Sequence, residues 1–214
     1  MVARGGFFGG HKDTISNING VYYSLLNETL GLEDYEAFLH EPATAQRFDN
    51  LVAYDGNDPV GIGKSLATFS AFAEGVSLYS AFAVLYSFQM RNLLKGIGQQ
   101  MKWSVRDESL HSKMGCQLFR HMCSQIPGLK EECKEHVYDA ALTMHNAEMT
   151  YISKLFEMGD IEGITEYDLK HFIKKRTGDK IKELGYKPEG KFKFEYDQKS
   201  IDKMAWFDHL TGGH

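Results

Sequence analysis

Apolar residues return at steps of three and four along most of this chain, the spacing of a single stripe down an α-helix. Ile15, Ile18, Val21, Tyr22, Leu25, Leu26 and Leu30 form one such stripe, with Asp13 placed to cap its start and Gly31 to stop it. A second helical segment, roughly Glu33 to Ala53, is interrupted at Pro42 and closed by Asp55-Gly56-Asn57-Asp58-Pro59. The stretch from about Val60 to Phe88 is apolar on nearly every face, which predicts a helix in the middle of a bundle rather than at its edge. Another helix is expected over Asn92 to Ser124, weakened at Gly96 and Gly98 and ended by Pro127-Gly128. A long one should run from Leu129 to Met158, stopped by Gly159-Asp160. Thr165 then opens a more charged helix, expected to be peripheral, that ends before Gly185. Charge and aromatic residues alternate between Lys187 and Ser200, as in a short exposed hairpin or an extended arm, before a last short helix over Ser200 to Leu210. No internal repeat is present, and the fold class is all-α, a bundle of long helices.

Composition narrows this picture. With 214 residues, 43% of them apolar and 25% charged, the chain has room for one globular domain. The 24 basic residues against 29 acidic give a net charge of −5, which argues against a nucleic-acid platform. Three cysteines, Cys116, Cys123 and Cys133, are too few and too odd in number for a disulfide framework. The beginning, MVARGGFFGGHKD, lacks the apolar core of a signal peptide, and the apolar run Ala71 to Phe88 contains Glu74. A buried core helix explains that run better than a membrane span, and a reducing cytoplasm is the expected setting.

Glu74 is the informative anomaly, because a buried carboxylate is normally neutral, paired or bound to metal. One helix later, Asp107-Glu108-Ser109-Leu110-His111 places Glu108 and His111 three residues apart on one helical face. A carboxylate and an imidazole can then reach a single cation from one turn. A Glu on one core helix followed by Glu-x-x-His on the next is half of a dinuclear carboxylate site in a four-helix bundle. The hard carboxylates suit iron or manganese. Each element alone is ambiguous: Glu-x-x-His is common on solvated faces, and Glu74 has Lys102 or Arg106 as alternative ion-pair partners. Asp168-Leu169-Lys170-His171 shares the spacing but lies on a charged helix and reads as a solvated face. Cys116 and Cys123 read as small buried hydrophobes, and His136 and His145 as incidental.

The run AFAEGVSLYSAFAVLYSF, followed by NLLKGIGQQMKWSVRDESLHSKMG, resembles the small, radical-generating subunit of class I ribonucleotide reductase. NETLGLEDYEAFLHEP before this core and FEMGDIEGITEYDLKHFI, KELGYKP and AWFDHLTGG after it extend the resemblance from about Ser16 to the end. The resemblance implies one ferritin-like domain over 1–214, with 1–15 an atypical N-terminal segment and 186–214 a C-terminal arm and short helix. It implies a dinuclear iron or manganese centre held by Glu74, Glu108 and His111, a radical at Tyr23 and a relay through Asp107. It further implies a cytoplasmic protein without nucleic-acid or membrane partners. Such a protein forms a homodimer and passes an oxidising equivalent to a large subunit, where ribonucleotides become deoxyribonucleotides.

The pattern is incomplete at one end. The first Glu-x-x-His of the family should stand seven and four residues before Tyr23, where this chain has Ser16 and Asn19, neither an anionic nor an imidazole ligand. Three of six usual protein ligands are present. One reading is a split subunit whose missing helices come from a complementing N-terminal polypeptide; this is the preferred explanation. A second is a non-catalytic partner subunit that binds little metal alone. A third is a reduced site that recruits His11 or Asp13.

Overall fold

Asp58 and Pro59 start a helix for two separate reasons. The Asp58 carboxylate accepts the Gly61 amide at 2.6 Å, and proline at the first helical position has no N–H to leave unpaired. In the computed structural model the described residues are 58–157 and 159–211, and they fall within one compact unit, Gln46–His214. The helices expected over Asp13 to Leu30 and Glu33 to Ala53 lie outside the described residues.

The expected helix from Val60 to Phe88 is present but is not uniform. It comprises α1 (Pro59–Leu66), an eleven-residue π-helical segment (Ala67–Ser77) and α2 (Tyr79–Met90). A π turn is rare and usually short, and one of this length marks a place where side-chain direction matters more than backbone economy. Ala67, Ala71, Phe72, Val76, Tyr79 and Ala83 are fully buried along it. The stretch Pro59–Met90 is long and apolar enough to cross a membrane, yet 61% of its apolar window is buried inside the fold, as in a core helix.

The chain then turns through Asn92 and Leu94, both with left-handed backbone, into α3 (Lys95–Gln125). Gly96 and Gly98 do not break this helix. Gly98 instead admits close approach, since a Cβ there would collide with the side chain of Gln89 on α2. Next come α4 (Leu129–Glu157) and α5 (Glu166–Glu183). The π segment is the hub, packing on α3, α4 and α5, while α2 lies along α3.

The charged helix α5 is not peripheral. Leu169, Phe172, Ile173 and Ile181 are buried with Arg176, Thr177 and Lys180 on its inner side, and it packs on both the π segment and α4. It begins at Thr165, whose hydroxyl oxygen accepts the Asp168 amide at 3.0 Å. It ends at Gly185 (φ +89°), where the Tyr186 amide reaches back to the Ile181 carbonyl at 3.1 Å. Asp168 is also not on a solvated face. It is buried and accepts from the hydroxyls of Ser200 at 2.7 Å and Thr165 at 2.7 Å, with Lys203 at 3.3 Å. His171 Nδ1 accepts the Asp197 amide at 2.8 Å. The Asp-x-x-His spacing here fastens the C-terminal arm to α5.

Among the described residues no strand ladder forms between Lys187 and Ser200. The segment is an arm containing a 3₁₀ turn (Gly190–Phe192), and α6 (Gln198–Lys203) and α7 (Ala205–Asp208) follow it. Phe207 is fully buried against Tyr79, Phe172 and Tyr86, and Trp206 stacks on Tyr86 at 6.0 Å. The result is the all-α, ferritin-like bundle expected from the sequence.

Candidate metal centre

Glu74 projects from the π segment, and Glu108 and His111 from one turn of α3. The two elements pack closely because small residues line their contact. A Cβ added at Gly115 would fall inside the side chain of Ser70, and one at Gly75 would meet Ser112 Oγ at 2.7 Å and Lys180 Cε at 2.9 Å. Ser112 directly follows His111 and Gly75 directly follows Glu74, so this approach sets the spacing between the ligand-bearing residues.

One ligand atom from each of Glu74, Glu108 and His111 lies within 4.8 Å of the other two. His111 Nδ1 stands 3.6 Å from Glu108 Oε2. Both carboxylates are half-buried, while the imidazole is exposed. Burial pushes the Glu74 carboxyl above its ordinary range, the negative charge of Glu108 pushes it further, and His111 opposes both. Glu108 is raised by burial and partly restored by His111. Among the described residues Glu74 makes no ion pair with Lys102 or Arg106. Two half-buried carboxylates crowded together with only one imidazole to oppose their charge are a poor structural choice, and a bound dication reverses the balance. Two hard oxygens and a borderline imidazole fit an iron- or manganese-class ion.

Asp107, between Arg106 and Glu108 on α3, is partly buried. Tyr23, Ser16 and Asn19 lie outside the described residues, as do His11 and Asp13. Of the two cysteines expected to be small buried hydrophobes, Cys116 is buried but Cys123 is only partly so; Cys133 is buried as well, and burial raises the thiols of Cys116 and Cys133 to about 11. His136 Nε2 pairs with Thr68 Oγ1 at 2.8 Å, and His145 Nδ1 with Asn146 Oδ1 at 3.2 Å, so both serve packing.

Two further residues stand beside the cluster. Tyr79 is fully buried, and its hydroxyl shares a 2.8 Å hydrogen bond with Ser109 Oγ, next to Glu108. Arg176 of α5 stacks on the Tyr79 ring with its guanidinium carbon 3.3 Å from the centroid. Tyr79 carries a partial signal, standing five residues after Glu74 on the same apolar helix. Arg176 carries none, since it sits in a run of lysines on a helix that reads as solvated.

A family model described as "Ribonucleotide reductase, small chain" matches residues 7–192. The probable ribonucleoside-diphosphate reductase small subunit of Invertebrate iridescent virus 3 is 33% identical over 195 residues, covering 78% of this chain and 50% of the relative. The ribonucleoside-diphosphate reductase 2 subunit beta of Escherichia coli (strain K12) is 27% identical over 169 residues, with the same two coverages. The crystal structure of a putative class I ribonucleotide reductase from Bacillus halodurans superposes with a TM-score of 0.69 at 20% identity, covering 84% of this chain and 61% of that one. The chain therefore spans about half the length of these two curated relatives. With the match extending over residues 7–192, the chain belongs to the ribonucleotide reductase small chain family.

Proposed function

We propose that this chain provides the metal-holding part of a ribonucleoside-diphosphate reductase small subunit, an oxidoreductase component that serves a large subunit. The observation that carries the reading is the convergence of Glu74, Glu108 and His111 from two core helices within 4.8 Å. Iron or manganese bound there would supply one-electron oxidising chemistry. The chain's own residues contribute the rest. Glu74 and Glu108 bring the negative charge that burial disfavours in the metal-free chain. His111 adds a neutral nitrogen. Tyr23 stores the oxidising equivalent, and Asp107 relays it by hydrogen bonding.

The three donors found among the described residues fall short of what two such cations demand. The helix that carries Glu108 and His111 also leaves Trp103, Leu110, Met114 and Leu118 at least half exposed. An apolar stripe beside an open ligand set is suited to a partner helix. A complementing polypeptide that supplies the missing ligands would fit there.

The test is metal content per chain after anaerobic loading with Fe(II) or Mn(II), then air and an electron paramagnetic resonance spectrum. Two metals with a radical signal support a working subunit. A single weakly held metal that depends on Glu74 supports the split subunit. Metal retention no different from that of Glu74→Ala overturns the metal centre altogether.

A further inference from the structure

Arg176 is only 9% exposed, and among the described residues no carboxylate lies within ion-pair distance of it. A buried guanidinium without an acidic partner is costly unless its donors and its face are used. Both are used, and both contacts are made to the central helix. The Nε–H donates to the Gly75 carbonyl at 2.5 Å, and the planar group lies over the Tyr79 ring. Gly75 and Tyr79 are four residues apart and flank the junction between the π segment and α2, which Leu78 marks. The next turn of α5 adds Lys180, whose stem packs against Gly75.

We propose that Arg176 is a positioning residue that clamps the π-helical turn presenting Glu74, by holding the Gly75 carbonyl while seated on Tyr79. The physical need is plain. A π-helix has poorer hydrogen-bond geometry than the α-helices on either side, so an eleven-residue stretch tends to rewind unless something outside it fixes the turn. Rewinding would rotate Glu74 relative to Glu108 and His111. Arg176 reaches across from a separate helix and supplies the fixed point one residue from the ligand. Its stacking on Tyr79 restrains the following turn, whose hydroxyl is tied to Ser109 on α3. Through this residue α5, which offers no ligand, is coupled to the geometry of the ligand set. The role in metal binding rests on the function proposed above; the clamp itself does not.

The experiment uses the full 214-residue chain, its Arg176→Met variant, which keeps the apolar stem, and its Arg176→Lys variant, which keeps the charge but lacks the Nε donor. Amide hydrogen exchange of the metal-free proteins reads the clamp. Exchange within Ala71–Tyr79 should accelerate at least tenfold in Arg176→Met, and less in Arg176→Lys, while α4 keeps its protection. Co(II) titration reads the consequence. Affinity should fall by about 10- to 100-fold, with an altered visible absorption band, as for other residues that orient metal ligands. Unchanged exchange in the π segment, or acceleration spread evenly over every helix, overturns the clamp. Selective exchange with parental Co(II) affinity and spectrum overturns the positioning role. A parent chain that binds no Co(II), yet shows selective acceleration in the variants, sinks the metal reading and leaves the clamp standing. If Arg176→Met does not fold, Arg176→Lys alone decides by the same exchange criterion.

Discussion

Gly75→Ala gives a sharp test of how the two ligand-bearing elements are spaced. The new methyl carbon would stand 2.7 Å from Ser112 Oγ and 2.9 Å from Lys180 Cε. Ordinary van der Waals separation begins at about 3.5 Å, so one side must yield by roughly 0.8 Å (3.5 minus 2.7). The lysine stem can swing aside, but Ser112 is buried on α3 directly after His111. Relief therefore comes largely from separating the π segment from α3. Overpacking costs about 1–3 kcal/mol, while replacing glycine by alanine within a helix returns about 0.5–1 kcal/mol. The net loss of stability should be modest, about 1 kcal/mol. Metal binding should suffer far more, because ligand distances tolerate only about 0.2 Å of error. Urea unfolding of the metal-free chain and Co(II) titration of the folded chain separate the two effects. A small stability loss with at least tenfold weaker Co(II) binding is expected. A variant that gains stability and binds Co(II) as the parent does would refute the reasoning.

Other perturbations probe separate parts of the site. Glu74 is raised by burial and then by Glu108, so the folded protein binds that proton more tightly than the unfolded chain. Metal-free stability should then fall as pH rises from the ordinary carboxyl range through the raised value, and Glu74→Gln should remove this slope. The variant's urea midpoint should match the parent at about pH 4 and exceed it at about pH 7; an opposite trend would contradict the crowding of the two carboxylates. His111→Ala should change metal-free stability by less than about 0.5 kcal/mol, its ring being exposed, while abolishing tight Co(II) binding. Tyr79→Phe should cost about 1 kcal/mol in urea unfolding through the lost Ser109 hydrogen bond, and a cost near zero would mean that this bond is not made in solution. Burial acts to raise the Asp168 carboxyl, but hydrogen bonds from Ser200, Thr165 and Lys203 outweigh it and hold the group below its ordinary range. Its contribution is present above that range and lost as pH falls through the lowered value, so Asp168→Asn should flatten the acid limb of the stability curve. Unchanged acid sensitivity would contradict that network.

The long helices from Pro59 onward were legible because their apolar stripes and their glycine and proline stops act locally. The meeting of Glu74, Glu108 and His111 was legible because a carboxylate in an apolar helix and a Glu-x-x-His pair are each detectable within a few residues. The π winding of Ala67–Ser77 was not, and the groups that meet it around Gly75, Arg176 and Lys180 on α5 and Ser112 on α3, are all distant in sequence. The charged face of α5 misled for a related reason. Asp168, Arg176 and Lys180 read as solvated, but Asp168 meets Ser200, Arg176 meets Gly75 and the Lys180 stem lies against Gly75, all distant in sequence, and contacts of that kind leave no periodic trace. Gly96 and Gly98 misled in the other direction. Their lack of side chains weakens a helix in isolation, yet here Gly98 admits the side chain of Gln89.

The burial of Phe207 has a consequence for the order of assembly. Its ring packs against Tyr79, Tyr86 and Phe172, so this aromatic core closes only with residues that follow α5 in the sequence. During synthesis α1 to α5 emerge first and must wait with that apolar floor open to solvent, a state exposed to aggregation and to capture by chaperones. The pairing of Tyr79 with Phe207 is a contact of high sequence separation, which slows folding even in a bundle of otherwise local helices. Translation that stalls before Ala205 would leave the ligand residues synthesised but their support unsealed.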